Sequence, residues 1–277
     1  MCTLIAIHRT VPGRWLVVGA NRDEFFERPS EPPRVRTAGR SRVVCPLDLR
    51  AGGTWLGVGE QGVFAALTNL PSGSPNPTMK SRGAIVMDTL QFGGAAQAVE
   101  QMAELPERTY NPFNCYVADA RDAFVVTYRE VAEVLELSPG IHVIGNADAV
   151  AARKNESGFE EVLERDPRQC RVDQVEARVR ASVAESDRDA MSALSEICRL
   201  HATGEKTDAV ACIHASDFYG TKSSILLEMA ERSEDSRLLY ADQAPCQAEY
   251  EDFSSLLDEL RYAPSYGSTE SPMRITS

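Results

Sequence analysis

The sequence predicts an α+β fold in which antiparallel sheets carry helices on their outer faces. Segments with strand and helix patterning occur in blocks, in the order strands, helices, strands, helices, strands. Short polar turns join most neighbouring strand segments, which favours hairpins over the helical crossovers of parallel sheets. Because no internal repeat and no linker between two cores is visible, we expect one domain over residues 1–277.

The first predicted hairpin brings a polar quartet beside the start of the chain. Its two strands are the apolar runs at residues 4–7 and 15–20, joined by a turn at residues 11–13 that contains proline and glycine. The second run ends in residues 21–24, Asn-Arg-Asp-Glu. Antiparallel pairing places the end of the second strand next to the start of the first, so we expect these polar residues beside Cys2, at an exposed strand end.

A second hairpin is predicted from residues 56–59 and 63–69, with its turn near Gln61. Residues 57–62 also match Gly-x-Gly-x-x-Gly. The dinucleotide motif requires a helix directly after it, whereas β-branched and aromatic residues follow here. We therefore interpret the match as part of a hairpin and predict no nucleotide site.

The other segments extend the same block pattern. The proline-rich residues 27–33 predict a surface loop, and residues 219–224 predict a turn that carries Lys222. Helices are expected at residues 82–91 and 95–105 and within 147–202; further strands are expected at 115–117, 123–126, 131–137, 209–214, 223–229 and 236–241.

Composition and charge exclude several classes of protein. The 277 residues carry a formal net charge of −12, which repels a phosphate backbone, so we expect no nucleic-acid partner. No apolar stretch approaches the roughly 18 residues of a membrane span. The first apolar run is too short for a signal peptide. We therefore expect a cytoplasmic location and no membrane span.

The cysteines and histidines do not show the spacing of a disulfide framework or a metal site. The seven cysteines are odd in number, no two form a Cys-x-x-Cys pair, and the four histidines have no metal-ligand spacing. We therefore expect no metal. The cysteines after the first are expected to be buried small apolar residues in a reducing cytoplasm; they are Cys45, Cys115, Cys170, Cys198, Cys212 and Cys246.

Cys2 directly follows the initiator methionine. Removal of Met1 would leave a thiol and a free α-amino group on one residue, with ordinary pKa values near ~8.5 and ~8. The amine could then accept the thiol proton, as the terminal amine does in an N-terminal nucleophile. The alternative is an ordinary small residue at a frayed terminus. The apolar run at residues 4–7 favours the first interpretation, because a buried strand fixes the position of Cys2.

Several motifs together resemble the NRDE family, also called the transport and Golgi organisation family. They cover nearly the whole chain: residues 1–4 (Met-Cys-Thr-Leu), 20–24 (Ala-Asn-Arg-Asp-Glu), 51–57 (Ala-Gly-Gly-Thr-Trp-Leu-Gly), 65–69 (Ala-Ala-Leu-Thr-Asn), 81–83 (Ser-Arg-Gly) and 219–223 (Tyr-Gly-Thr-Lys-Ser). The family is similar to N-terminal nucleophile hydrolases. The resemblance therefore implies a four-layer αββα sandwich with two antiparallel sheets.

The resemblance also implies roles for individual residues. Within the wider group the chain looks closest to the choloylglycine hydrolase and penicillin acylase branch. Its pattern makes Cys2 the nucleophile, Asp23 the carboxylate that supports the amine, and Asn69 and Asn146 oxyanion donors. Arg22 and Lys222 are the expected substrate-binding cations. In that branch an arginine directly precedes the Asn-x-Asp of the second strand; here Ala20 occupies that place and Arg22 lies two residues later. Lys222 also replaces an arginine of the NRDE pattern. Because of these two differences, the substrates of the branch do not carry over directly.

Two functions follow from this resemblance. The first is an N-terminal cysteine hydrolase, of amidase type, that acts on an amide or acyl substrate. The second is a non-enzymatic haem-binding or haem-trafficking protein on the same fold, since some NRDE relatives are linked to haem handling. No Cys-x-x-Cys-His motif is present. The hydrolase needs no cofactor, and the sequence leaves open the substrate and the oligomeric state.

Overall fold

Two seven-stranded antiparallel sheets dominate a computed structural model of the protein. The structure describes residues 2–71, 73, 75–155, 166–184, 189–201 and 210–262. The strands are β1 (Cys2–Val11), β2 (Arg14–Phe25), β3 (Ser30–Ala38), β4 (Ser41–Asp48), β5 (Leu56–Gly59), β6 (Phe64–Asn69), β7 (Phe113–Ala118), β8 (Ala123–Tyr128), β9 (Ala132–Leu137), β10 (Gly140–Ile144), β11 (His214–Ser216), β12 (Tyr219–Met229), β13 (Arg237–Ala241) and β14 (Glu251–Asp252). The helices are α1 (Arg82–Thr89), α2 (Ala95–Ala103), α3 (Ala149–Asn155), α4 (Pro167–Ala184), α5 (Ala190–Arg199) and α6 (Ser255–Leu260).

The strand order puts the N-terminal strand in the interior of its sheet. The first sheet has the order β10-β1-β2-β12-β13-β14, and β11 also pairs with β12. The second sheet runs from β3 to β9 in chain order. Strand β1 pairs with β2 from Cys2 onward and with β10 from Leu4 to His8, so its central part is held on both sides.

The predicted four-layer αββα arrangement is confirmed by the packing. In β1, Leu4 and Ala6 belong to the apolar core shared by the two sheets, whereas Ile5 and Ile7 pack in a second core with α4 and α5. Alternate residues of a strand point to opposite faces. Both faces of β1 are therefore buried, which explains its unbroken apolar run. A third core lies between α1, α2 and the second sheet.

The predicted hairpins are confirmed, but two loop predictions are wrong. Strand β2 continues through the polar quartet to Phe25 and is not confined to residues 15–20. The proline-rich segment enters β3 at Ser30; β3 is an edge strand, where a missing N–H is tolerated. Residues 219–224 are not a turn but the first half of β12, paired to β2. In the described part of the chain no helix is long and apolar enough to cross a membrane.

Two glycines allow helix α1 to approach the second sheet at the edge of the site described below. A Cβ atom at Gly53 would lie 2.5 Å from the carbonyl carbon of Gly83, at the start of α1. The backbone N–H of Thr54 donates to the Gly83 carbonyl at 3.2 Å. Direct backbone contact therefore sets the position of this helix terminus.

We predict that Gly53→Ala destabilises the protein by about 1–3 kcal/mol, because the added methyl group must push two backbone segments apart. Gly93→Ala is the matched control, since the nearest atom to its new Cβ is 3.6 Å away on the flexible Gln97 side chain. Chemical denaturation of both variants measures the difference. Equal stability of the two variants would contradict the close approach at Gly53.

Candidate active site

Cys2 begins β1 and is held from both sides. It pairs with Arg22 of β2, and its backbone N–H donates to the side-chain Oδ1 of Asn146 at 3.1 Å. Asn146 lies just after β10, the other neighbour of β1. The main-chain nitrogen that would become the α-amine is thus already bound to a buried side chain.

Asn146 also connects the two sheets. Its side-chain Nδ2 donates to the backbone carbonyl of Asn69, the last residue of β6 in the second sheet. A parallel link runs from the Thr68 hydroxyl to the Gly145 carbonyl at 2.5 Å. The structure therefore brings Cys2, Asn69 and Asn146 together, as the family resemblance implies. Both polar ends of the Asn146 amide are occupied, whereas the Asn69 side chain is exposed at the pocket wall.

Asp23 lies next to the Cys2 partner Arg22 and is only 4% exposed. Its Oδ1 accepts a hydrogen bond of 2.6 Å from the Thr221 hydroxyl, which itself accepts one from the Ile213 backbone N–H at 2.8 Å. Burial raises the pKa of Asp23 to about 6, although the positive charge of the chain terminus, the Thr221 hydrogen bond and the charge of Arg171 favour the carboxylate. The expectation of a polar quartet at an exposed strand end is wrong for Asp23.

The Cys2 thiol is not activated by its surroundings while the chain begins at Met1. Burial raises its pKa above the ordinary value, and the Asp23 charge adds to this effect. The positive charge of the chain terminus, the Asp23 backbone N–H and Arg22 lower the pKa without cancelling the effect of burial. A thiolate therefore needs a proton acceptor close to sulfur. In the N-terminal nucleophile hypothesis, that acceptor is the α-amine that removal of Met1 would create.

Arg22 forms one side of the pocket, and its guanidinium contacts an aromatic ring and two carboxylates. Its guanidinium stacks on Trp55, 4.2 Å from the ring centroid, and lies 3.4 Å from Asp48 and 3.8 Å from Glu24. Arg28 shares both acidic partners, at 2.7 Å from Asp48 and 3.6 Å from Glu24. A buried cation with such partners supports the pocket wall, and Arg22 is among the residues that line the pocket.

A pocket of about 470 Å³ opens in front of Cys2, and an adjoining one of about 410 Å³ shares several walls with it. Asn69 and Asp23 line both pockets, and Asn146 lines the second. The charged residues around the first pocket are Arg22, Asp23, Glu24, Arg28, Asp48, Arg50, Lys80 and Arg82. Five of these eight residues are cations, in a protein whose net charge is −12.

Lys222 is not brought into this site. Its ammonium donates to the backbone carbonyl of Phe26 at 2.6 Å, and it is not among the residues that line either pocket. The lysine lies at a bulge in β12, between Thr221 and Ser223. The prediction of a turn at residues 219–224 misplaced it, because the pairing of β12 with β2 cannot be read from local sequence.

Two arginines that sequence reasoning did not assign to the site belong to it. Arg82, at the start of α1, lines both pockets and donates to the Pro112 carbonyl at 3.0 Å. Arg171 of α4 donates to the Thr3 hydroxyl at 2.8 Å. Burial lowers the pKa of both guanidinium groups. Negative charge on Cys2, and for Arg171 also on Asp23, acts in the opposite direction. The Ser-Arg-Gly motif at residues 81–83 could have assigned Arg82 to the site. Arg171 lies in an arginine-rich helix, and no motif distinguishes it from its neighbours.

Comparison with known proteins identifies the family. A family model described as Transport and Golgi organisation 2 matches residues 1–238. The chain belongs to this family. It is 33% identical to the Transport and Golgi organization 2 homolog of Mus musculus and 31% identical to that of Homo sapiens, in each case over 140 residues. These matches cover 48% of this chain and 50% of each relative, so the chain spans about half the length of the curated relatives it matches.

Solved structures show that this Transport and Golgi organisation 2 family member has the fold of N-terminal nucleophile hydrolases. A mutant conjugated bile acid hydrolase from Clostridium perfringens aligns with a TM-score of 0.58 at 13% identity, over 92% of this chain and 93% of that one. Penicillin V acylase from Agrobacterium tumefaciens aligns with a TM-score of 0.55 at 13% identity, over 87% and 83%. The Caenorhabditis elegans N-acylethanolamine-hydrolyzing acid amidase ortholog gives 0.52 at 13% identity, over 82% and 92%.

We predict that, in the form that retains Met1, Asp23→Asn leaves the protein at least as stable as the parent at pH 7. Asparagine keeps the acceptor for Thr221 and removes a carboxylate whose pKa is about 6 in the fold against 3.8 ordinarily. That difference of 2.2 units corresponds to on the order of 3 kcal/mol of destabilisation in the ionised form. Between these two pKa values the folded state binds more protons, so the stability of the parent protein falls as pH rises from about 4 to about 6.

Urea denaturation at pH 5 and pH 7 checks this prediction. The advantage of Asp23→Asn over the parent should be larger at pH 7 than at pH 5. Asp217→Asn removes an exposed carboxylate and serves as the control. If Asp23→Asn instead lowers the free energy of unfolding by several kcal/mol, equally at both pH values, the carboxylate stabilises the fold and the prediction is wrong.

Proposed function

We propose that this protein hydrolyses an amide or acyl bond, with Cys2 as an N-terminal nucleophile. The observation that carries the proposal is the position of the Cys2 nitrogen. It is bound to Asn146 Oδ1, adjacent to the buried Asp23, at the wall of a pocket of about 470 Å³. After removal of Met1, the amine can keep the bond to Asn146 through one N–H and use its lone pair as a base.

The reaction would proceed in two stages. In the first, the Cys2 thiol transfers its proton to the α-amine, and the thiolate attacks the carbonyl carbon of the substrate. The scissile bond breaks as the leaving group takes the proton from the ammonium, which leaves a thioester on Cys2. In the second stage water attacks the thioester, gives one proton to the amine, and releases the acid and the thiol.

The surrounding residues would act on charge that develops during these steps. The Asp23 carboxylate stabilises the ammonium next to it, and this role requires Asp23 to be ionised. The exposed Asn69 amide is a donor for the oxyanion. Asn146 is better placed to orient the amine than to bind the oxyanion, since its Nδ2 already donates to the Asn69 carbonyl.

The charge of the pocket favours a substrate with an anionic group. Arg50, Lys80 and Arg82 add positive charge beyond the Arg22 and Arg28 network with acidic residues. We infer that Arg22 and Arg82, rather than Lys222, contact such a group. The alternative function, a haem carrier, would require no chemistry at Cys2.

We predict that only the processed protein, which begins at Cys2, hydrolyses N-acyl amides, and that amides with a carboxylate are hydrolysed faster than neutral analogues. A form that retains Met1 has a peptide nitrogen in place of the amine and lacks the base. Intact mass confirms the two forms, and turnover of an amide panel at pH 7.5 compares them. Cys2→Ser in the processed protein tests the nucleophile.

Thermal melting of both forms controls for folding, and haem titration of both tests the alternative. Equal hydrolysis by the two forms would rule out the N-terminal amine as the base. Absence of hydrolysis in both, together with stoichiometric haem binding in both, would establish the carrier function instead.

A further inference from the structure

A group of cysteine and histidine side chains lies outside both pockets, at the far end of α5. The Cys212 sulfur is 3.5 Å from the Cys246 sulfur and 3.7 Å from Nε2 of His214. The same His214 nitrogen is 3.1 Å from the Cys246 sulfur. His201 completes the group, because one ligand atom each from His201, His214 and Cys246 all lie within 4.8 Å of one another.

These distances fit a tetrahedral metal site. With bonds of about 2.3 Å to sulfur and about 2.0–2.1 Å to nitrogen, the donors of a tetrahedral zinc ion lie about 3.3–3.8 Å apart. The three distances among Cys212, His214 and Cys246 are 3.1–3.7 Å. These three donors are already at tetrahedral spacing, and His201, within 4.8 Å of His214 and Cys246, would move closer to complete the coordination.

The histidine tautomer and the backbone also suit a ligand role. Nδ1 of His201 lies 3.3 Å from the Arg199 carbonyl, so this nitrogen carries the proton and leaves Nε2 with a lone pair. Such a bond from the second ring nitrogen to a carbonyl is typical of metal-binding histidines. A parallel bridge joins His201 and Cys212, with the Cys212 N–H donating to the Leu200 carbonyl at 2.9 Å.

We propose that Cys212, His214, Cys246 and His201 bind one Zn²⁺ ion as a structural site. Two thiolates and two neutral imidazoles neutralise the ion, and four protein donors leave no position for a substrate. Binding forms two Zn–S bonds and releases the two thiol protons to solvent. The four donors come from three separate segments of the chain, so the local spacing of cysteines and histidines does not reveal the site.

The ion would fix a segment that supports the candidate active site. Ile213, between two of the ligands, donates its N–H to the Thr221 hydroxyl, and that hydroxyl donates to Asp23. The zinc site would thus stabilise the loop on which the position of the Asp23 carboxylate depends. The proposal rests on the donor geometry alone and holds whether or not Cys2 is catalytic.

Metal analysis of the full chain, purified under reducing conditions, tests the proposal. We expect about one zinc per chain by mass spectrometry, and Zn²⁺ binding to the stripped protein in competition with a chromophoric chelator. Cys246→Ser should weaken binding by more than about 100-fold, since even residues one shell further out change metal affinity about 10–100-fold. Cys170→Ser, at a partly exposed thiol in α4, is the matched control and should bind like the parent.

A second measurement avoids dependence on variants that fail to fold. Co²⁺ added to the stripped parent protein should give thiolate-to-cobalt charge-transfer absorption and the visible bands of tetrahedral cobalt. Absence of these bands, or zinc binding that survives in Cys246→Ser, would overturn the proposal. A disulfide between Cys212 and Cys246, found by peptide mapping of the reduced preparation, would overturn it as well.

Discussion

The hydrogen bond from the Cys2 nitrogen to the Asn146 side chain is the contact on which the site depends. It joins the first residue of β1 to the end of β10, and Asn146 extends the link to Asn69 in the second sheet. Strand β1 pairs with β2 from Cys2 and with β10 from Leu4, and its residues 4–7 are buried on both faces. The strand that carries Cys2 is therefore anchored in two cores, and the contacts with Arg22 and Asn146 hold Cys2 itself.

Buried charge accompanies this arrangement. Burial raises the pKa of Asp23 to about 6, so this carboxyl group is mostly ionised only above that pH. A cationic α-amine beside it would offset that cost, so the carboxylate and the processed terminus stabilise each other. Arg22, the preceding residue of the same strand, is likewise buried against partners, Trp55 and Asp48.

The sequence predicted the parts of the fold that depend on local pattern and on motif resemblance. Apolar runs separated by polar turns predicted the β1–β2 and β5–β6 hairpins, and the family motifs brought Cys2, Asp23, Asn69 and Asn146 together. What it missed depends on pairing between distant segments. The burial of Asp23 and the placement of Lys222 follow from β12 lying against β2, about 200 residues away in the chain. The cysteine–histidine group was hidden for the same reason, since α5, β11 and the turn after β13 meet only in the folded chain.

Alkylation of Cys2 tests most directly whether the terminal amine activates the thiol. Substoichiometric iodoacetamide is added to the processed and the Met1-retaining protein, and labelled peptides are quantified over time against Cys170, which is also partly exposed. The account predicts that Cys2 reacts well before Cys170 in the processed form and loses this advantage when Met1 is retained. Equal rates for Cys2 in the two forms, or earlier labelling of the buried Cys45 or Cys198, would contradict it.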